Sequence, residues 1–462
     1  MTSTPTVRRC FSAWKIIPTS YQISIIVFFV LLLISSVIKP EFFHYLVNSY
    51  GIDSGKYWNI AEGILNGRIH DIKQWWLWPI GFPLIIATFM KVADIVSLDR
   101  LVFVHVVLLL IHASSVIPMY HFSLKLTGTK SAATKSAIFY GLFPPLIYLQ
   151  LFVMSEAIAI PAFIWSIGMA ITITKEKWML PTVISSILFS ICITARLSMA
   201  PASLVVILCA LITIKKEKTI RVTALFSVCL AISIIANIGL ERFVTSGKVH
   251  GLTPNSSIAY LIARCHPAGY AFNCPECSEG ECALKNKKFT DGYGTIKTTF
   301  AKFMNNAKCV IPKGGAGVTS KVHGDGVYYI FNSPPWDATP VINAANQCHS
   351  MNYSKNVSYL FLNIDNIGTI LSDRIAIPLS IFFSLLQLIL LMVGIVIGVW
   401  DVRHNLLILP ILIGFLIPVI ISAFFISNLR YMLPYILLFI PLYFLHQKKK
   451  SESRPERCDL CE

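Results

Sequence analysis

The chain has 462 residues, of which 55% are hydrophobic and only 13% are charged, and its mean hydropathy is +0.66. A chain this apolar cannot cover itself with a polar surface in water, so the composition excludes an ordinary soluble protein and indicates a lipid environment. The formal net charge of +16 does not indicate a nucleic-acid partner, because the basic residues form short clusters between apolar runs instead of one basic face.

Ten apolar runs predict about ten transmembrane helices, so the predicted fold class is an all-α polytopic membrane protein. The runs cover residues 22–38, 101–124, 132–152, 157–174, 181–195, 199–214, 220–240, 375–399, 405–424 and 432–445. The first run is predicted as a span and not as a cleaved signal peptide, because it ends at Lys39, Pro40 and Glu41 without a small-residue cleavage pattern.

The basic clusters predict the orientation of these spans, since short cytoplasmic loops carry an excess of Lys and Arg. With Arg8, Arg9 and Lys15 inside, the ten-span count also places the basic clusters of the later short loops and the basic tail on the cytoplasmic side. These clusters contain Lys125, Lys130, Lys135, Lys175, Lys177, Lys215, Lys216, Lys218, Arg221, Arg403 and the tail from Lys448 to Arg457.

Residues 79–92 form an eleventh apolar run that tests this topology. Counting them as a span would invert every later loop and move Lys125, Lys130 and Lys135 outside. The run is short and opens with prolines and a glycine, which favours a helix that lies at the outer interface or re-enters between spans. Residues 39–100 then form a first external loop with interfacial helices.

A second external region, residues 241–374, has the composition of a small soluble domain. Its cysteines favour up to three disulfides in an oxidising compartment, without fixing their pairing, over a zinc knuckle on the three closely spaced ones. They are Cys265, Cys274, Cys277, Cys282, Cys309 and Cys348. The predicted organisation is an N-terminal transmembrane module (1–240), this external domain, C-terminal transmembrane helices (375–446) and a cytoplasmic tail (447–462).

Chemistry-bearing residues begin in the first external loop. Asp53 stands at a turn, and Tyr57, Ala61 and Leu65 follow at helical spacing, so the acid is predicted to cap an amphipathic helix lying on the membrane. As a catalytic acid, the same side chain would face a cavity near the lipid headgroups.

This loop resembles that of the GT-C superfamily of polyprenyl-phosphate-sugar-dependent glycosyltransferases, which includes protein O-mannosyltransferases and aminoarabinose transferases. Those enzymes carry an acid in a pattern like D-x-x-x-Y-x-x-x-A, followed by a small polar spacer and a Pro-Pro-Gly-Tyr-Pro-like segment. The matching positions here are Asp53, Tyr57, Ala61, Gly67 and the segment Trp78-Pro79-Ile80-Gly81-Phe82-Pro83.

Three further elements are similar to the family's, and the predicted topology places all three on the external side. Ser155-Glu156 lies between the third and fourth spans, and Thr194-Ala195-Arg196 lies between the fifth and sixth. Asn428-Leu429-Arg430-Tyr431-Met432-Leu433-Pro434 opens the last span and resembles the family's R-Y-x-x-P element. The resemblance does not extend to the external cysteine-bearing domain.

The resemblance implies a membrane glycosyltransferase that moves a sugar from a polyprenyl or dolichyl phosphate to an acceptor hydroxyl, with inversion. Asp53 is then the base, Arg196, Arg430 and Tyr431 bind the donor phosphate, and Tyr57 and Glu156 position the substrate. Family members often carry two adjacent acids where Ser54 follows Asp53 here, so we expect no metal and no other cofactor.

Other functions and locations stay open at this point. A lipid or solute transporter, including a flippase, would use basic groups at one face but predicts internal repeats that the sequence does not show. An O-antigen ligase or polymerase would place essential basic residues in the large external loop. Acceptors are a glycan, a lipid or a protein, and the membrane is a bacterial inner membrane in preference to the endoplasmic reticulum.

Overall fold

The computed structural model describes residues 17–37, 53–71, 80–151, 153–174, 176–214, 216–244, 373–403, 405–424 and 429–445. All regular secondary structure in these ranges is helical. The predicted cysteine-bearing domain, Trp75 to Trp78 and the tail lie outside the described residues.

The described residues of the N-terminal part, up to residue 244, form ten α-helices. They are α1 (Thr19–Val37), α2 (Asp53–Leu65), α3 (Gly81–Ile95), α4 (Arg100–Thr127), α5 (Lys130–Gly141), α6 (Pro144–Leu151), α7 (Glu156–Ala170), α8 (Met179–Ala195), α9 (Ser203–Thr213) and α10 (Lys216–Val244). A 3-10 helix, Leu197–Ala202, leads from α8 into α9. The C-terminal part contains α11 (Asp373–Asp401), α12 (Ile408–Phe424) and α13 (Leu429–Ile436), after which helical structure continues to Leu445.

Three helical segments among the described residues are long and apolar enough to cross a membrane: Thr19–Val37, Arg100–Thr127 and Lys218–Ala236. Shorter apolar helical segments accompany them, namely Glu156–Ala170, Met179–Ala195, Leu197–Thr213, Ile389–Asp401, Ile408–Ile420 and Met432–Leu445. The all-helical class and the membrane-spanning character follow from these elements.

The predicted run 132–152 is two helices instead of one. Helix α5 ends at Gly141, and α6 begins at Pro144. Pro144 and Pro145 have no N–H to donate to the preceding turn, so the hydrogen-bond ladder stops there. The carbonyl of Gly141 instead lies 3.1 Å from Nε2 of the buried His112, which donates to it from α4.

Residues 79–92, the run that tests the topology, fall largely in α3, which is joined to α4 by a tight turn. The Asp99 side chain accepts a hydrogen bond from the Val102 N–H at 2.9 Å and caps the start of α4. Arg100 binds both carboxylate oxygens of Asp94, at 2.6 and 2.9 Å. This hydrogen-bonded contact holds the pKa of the exposed Asp94 carboxyl below its usual range.

The C-terminal helices pack against the N-terminal ones in a single bundle. Helix α12 lies against α9. The two helices are so close at Gly414 that a Cβ added there would lie 3.1 Å from the Val205 side chain. The ring of Tyr435 lies 6.2 Å from that of Phe163 in α7. This packing brings α13 toward the ends of α7 and α8.

Candidate functional site: a buried arginine–carboxylate cluster

Arg196 is the centre of a polar cluster formed by residues from two separate turns. Its Nε donates to Ser198 Oγ at 3.0 Å, and its Nη1 donates to Ser155 Oγ at 3.3 Å. The same Nη1 forms an ion pair with Glu156 Oε1. Ser155 Oγ also donates to Glu156 Oε2 at 3.0 Å, so its hydroxyl links Glu156 to Arg196. We call Ser155, Glu156, Arg196 and Ser198 the Arg196 cluster.

Both charges of this cluster are buried. Glu156 has no exposed surface, and Arg196 is 7% exposed. An arginine side chain stays protonated in proteins, so a buried guanidinium requires an anion beside it, and Glu156 supplies that charge. A buried ion pair is often no more stabilising than apolar residues of the same volume, so stability alone does not account for its presence.

The local fold explains why residues 40 positions apart meet. Helix α7 begins at Glu156, while α8 ends at Ala195, and the two helices pack along each other. Arg196 is extended, with φ −151° and ψ 98°, and its N–H still bonds to the Cys192 carbonyl at 2.9 Å. This one extended residue turns the side chain out of the α8 helix toward the start of α7.

Helix α2, in the segment predicted as the first external loop, reaches the same end of the bundle. Helix α2 begins at Asp53, and the buried Ser54 Oγ lies 3.5 Å from Met154 Sδ, two residues before Glu156. The sequence predicted that Asp53 caps this helix, and Asp53 is the first of the helix residues that the structure describes. The backbone of Asp53 is described and its side chain is not, so its orientation is not part of the observed geometry.

Two other family-like positions help to dock this loop. Tyr57 is buried and packs edge-on against Phe82, with ring centroids 4.9 Å apart. Gly81, at the start of α3, lies so close to α8 that a Cβ there would be 2.1 Å from the Thr194 carbonyl oxygen. Tyr57 is therefore a packing residue of the loop that carries Asp53.

Arg430 and Tyr431 occupy the first turn of α13, where their backbones are described but their side chains are not. Tyr435, in the same helix, lies within electrostatic range of Arg196. Arg430 is five residues before Tyr435, which is about 7.5 Å along a helix axis. Within α13, the structure therefore places Tyr435 near the Arg196 cluster.

Sequence reasoning missed two residues of this region, Ser198 and Lys56. Ser198 accepts a hydrogen bond directly from the guanidinium. The sequence could have indicated it, because its hydroxyl lies two positions after the candidate Arg196. Lys56 lies in the first turn of α2, where partial burial lowers the pKa of its amino group. Its place three residues after Asp53, on the same helix face, was visible in the sequence.

In the described part of the chain, no three His, Cys, Asp or Glu side chains lie close enough together to bind a metal ion. The side chain of Asp53 and the cysteines of residues 241–374 lie outside that part.

The described residues thus form helices, three of them long and apolar enough to cross a membrane, with a buried ion pair where α7 begins and α8 ends. The sequence matches no protein-family model and no curated protein.

Proposed function

We propose that the protein is a multi-pass membrane glycosyltransferase that transfers a sugar from a polyprenyl or dolichyl phosphate to an acceptor hydroxyl at the external or luminal membrane face. The observation that carries the proposal is the Arg196 cluster, beside which the family-like segment that begins at Asp53 docks through Ser54 and Gly81. Separate family-like segments of the sequence thereby meet at one end of the bundle.

The proposed topology has about ten spans, with α2 and α3 as interfacial elements of the first external loop. A polyprenyl phosphate keeps its chain in the bilayer and its phosphate among the headgroups, so its sugar is accessible at a helix end and not at mid-membrane. The Arg196 cluster lies at such an end, where α8 stops and α7 begins. In the proposed orientation this end faces outward.

Leaving-group stabilisation is the role proposed for the arginines. As the sugar carbon separates from the donor, negative charge grows on the phosphate, and a guanidinium already fixed in place stabilises it without reorganisation. Arg196 is held from two sides by Ser155 and Ser198. Arg430 and Tyr431, at the start of α13, complete the proposed phosphate site.

Acceptor activation is the role proposed for Asp53. Direct attack by a hydroxyl inverts the anomeric centre and needs one base to take the proton, which a carboxylate at the start of α2 supplies. Tyr57 and Glu156 position the substrate. The reaction written this way requires no metal, and the acceptor is a glycan, a lipid or a protein.

A transfer assay with Asp53→Asn tests this proposal. Purified full-length protein is given a panel of labelled polyprenyl-monophosphate hexoses and pentoses with a membrane extract as acceptor source, and released polyprenyl phosphate is measured. Because the amide cannot accept the proton, transfer should fall by about 100-fold or more, as loss of a general base typically causes. Asp94→Asn, which removes an exposed acid of α3, is the matched control.

Membrane insertion and elution in detergent should be the same for both variants. Near-normal transfer by Asp53→Asn would reject the base assignment. A different result would be that the wild-type protein moves the donor across vesicle membranes without releasing polyprenyl phosphate. That result would show that the protein is a flippase and not an enzyme.

A further inference from the structure

Glu156 occupies the position beside Arg196 that an anionic ligand would need. Its carboxylate has no exposed surface and pairs with the Nη1 group of a guanidinium that is itself 7% exposed. A phosphate reaching this guanidinium competes directly with the carboxylate, because both bind the same N–H groups.

We infer that Glu156 is a resident counter-ion that the donor phosphate displaces from Arg196, and that the hydroxyl groups of the donor sugar then compensate the displaced carboxylate. This inference rests on the proposed function and specifies the positioning role of Glu156. No bond is made or broken in the exchange, in which one anion replaces another at the guanidinium.

Three features of the cluster favour an exchangeable pair over a permanent one. The pair lies at helix ends. Glu156 is the first residue of α7, and Arg196 is the extended residue that follows α8. The N-terminus of α7 stabilises a carboxylate there even when its cation has a second anionic partner. Ser155 supplies a hydroxyl that already donates to the carboxylate.

The guanidinium is also held independently of Glu156. Nε is bound by Ser198 at 3.0 Å, and Nη1 contacts Ser155 at 3.3 Å. Arg196 therefore keeps hydrogen-bonding partners, and a defined orientation, when the carboxylate gives way to a phosphate.

The exchange has a consequence for ligand choice. A buried carboxylate left without compensation is costly, whereas sugar hydroxyls can donate hydrogen bonds to it. A polyprenyl-phosphate sugar satisfies Arg196 through its phosphate and Glu156 through its hydroxyls. A polyprenyl phosphate without a sugar lacks these hydroxyl groups, so the product binds more weakly than the donor and leaves.

Binding of a C20 polyprenyl monophosphate to detergent-solubilised full-length protein tests this inference, with the C20 alcohol as the uncharged reference. Glu156→Gln removes the competing charge and should tighten phosphate binding about tenfold, within the usual range of coupling between two sites. Glu176→Gln, an exposed acid beyond the other end of α7, is the matched control and should bind like the wild-type protein.

The outcomes separate the two proposals. Wild-type protein that binds the phosphate no better than the alcohol would overturn the proposed function together with the inference. Wild-type preference for the phosphate with unchanged or weaker binding by Glu156→Gln would overturn the inference alone and leave a structural ion pair.

A double variant covers the case in which Glu156→Gln does not fold. Glu156→Gln with Arg196→Gln removes both buried charges, so it avoids an uncompensated arginine. It should lose the preference for phosphate over alcohol. A double variant that keeps this preference would show that Arg196 does not bind the phosphate, and the inference would fail.

Discussion

Gly81 is the residue at which the start of α3 meets the end of α8. A Cβ at this position would lie 2.1 Å from the Thr194 carbonyl oxygen and 2.6 Å from the Thr194 methyl group. The closest atom belongs to the backbone, which cannot rotate away as a side chain can. Glycine is therefore required here for close approach, one residue before Phe82 packs on Tyr57.

Gly81→Ala should destabilise the protein by about 1 to 3 kcal/mol, the usual range for forcing a methyl group into a packed contact. The measurement is thermal unfolding in detergent. Gly239→Ala in α10 is the control, because nothing lies within 4 Å of its added Cβ. Alanine there should be neutral or stabilising by about 0.5 to 1 kcal/mol, since it favours the helix. Equal stabilities for the two variants would contradict the close contact.

The sequence indicated Ser155, Glu156 and Arg196, three of the four residues of the Arg196 cluster, but not their pairing. Glu156 and Arg196 were predicted on one side of the membrane from the positions of the basic loops. Their direct contact depends on the lengths of α7 and α8 and on the extended conformation of Arg196, neither of which the pattern determines. Ser198 joins the cluster only because the chain turns sharply into a 3-10 helix.

At the scale of elements, α7 and α8 are joined by hydroxyl groups in an otherwise apolar interface. Ser166 Oγ donates to the Ser185 carbonyl, and Ser185 Oγ donates to the Ser166 carbonyl, each at 2.8 Å. Small polar residues at helix interfaces allow close approach and add hydrogen bonds between helices within a membrane. This pair keeps the two helices that carry Glu156 and Arg196 in register.

Replacing either serine by alanine should lower the free energy of unfolding by about 0.6 kcal/mol, the average for such bonds between membrane helices. The double variant Ser166→Ala with Ser185→Ala should lose about 1 kcal/mol, measured by unfolding in mixed detergent micelles. Ser186→Ala is the control, because its hydroxyl bonds to Thr182 within α8 and crosses no interface. A larger loss for the control than for the double variant would refute the role of these bonds.

At the scale of the whole molecule, the basic loops, together with the assignment of α3 as an interfacial helix, predict the membrane topology. The predicted topology has α1 crossing outward, α4 inward, the α5 and α6 segment outward and α7 inward. Leu98, after α3, is then external, whereas Glu176, after α7, is cytoplasmic. Both residues are exposed, so both are accessible to reagents in water.

Single cysteines at these positions test the topology in a chain whose twelve native cysteines have been replaced. On right-side-out vesicles, a membrane-impermeant maleimide should label Leu98→Cys and not Glu176→Cys. A permeant maleimide should label both, which controls for reactivity. The reverse labelling pattern would show that α3 crosses the membrane and that every later loop is inverted.

Hydropathy was enough to predict the helical class, because apolar runs of this length have few alternatives to helices in lipid. The sequence also located the positions of the candidate site along the chain. The contact of Gly81 with Thr194 and the neutralisation of Arg196 by Glu156 depend on helix packing and could not be predicted from the sequence. Hydropathy is a property of neighbouring residues in one segment. An ion pair between two turns that are far apart in the chain forms only once separate helices have packed.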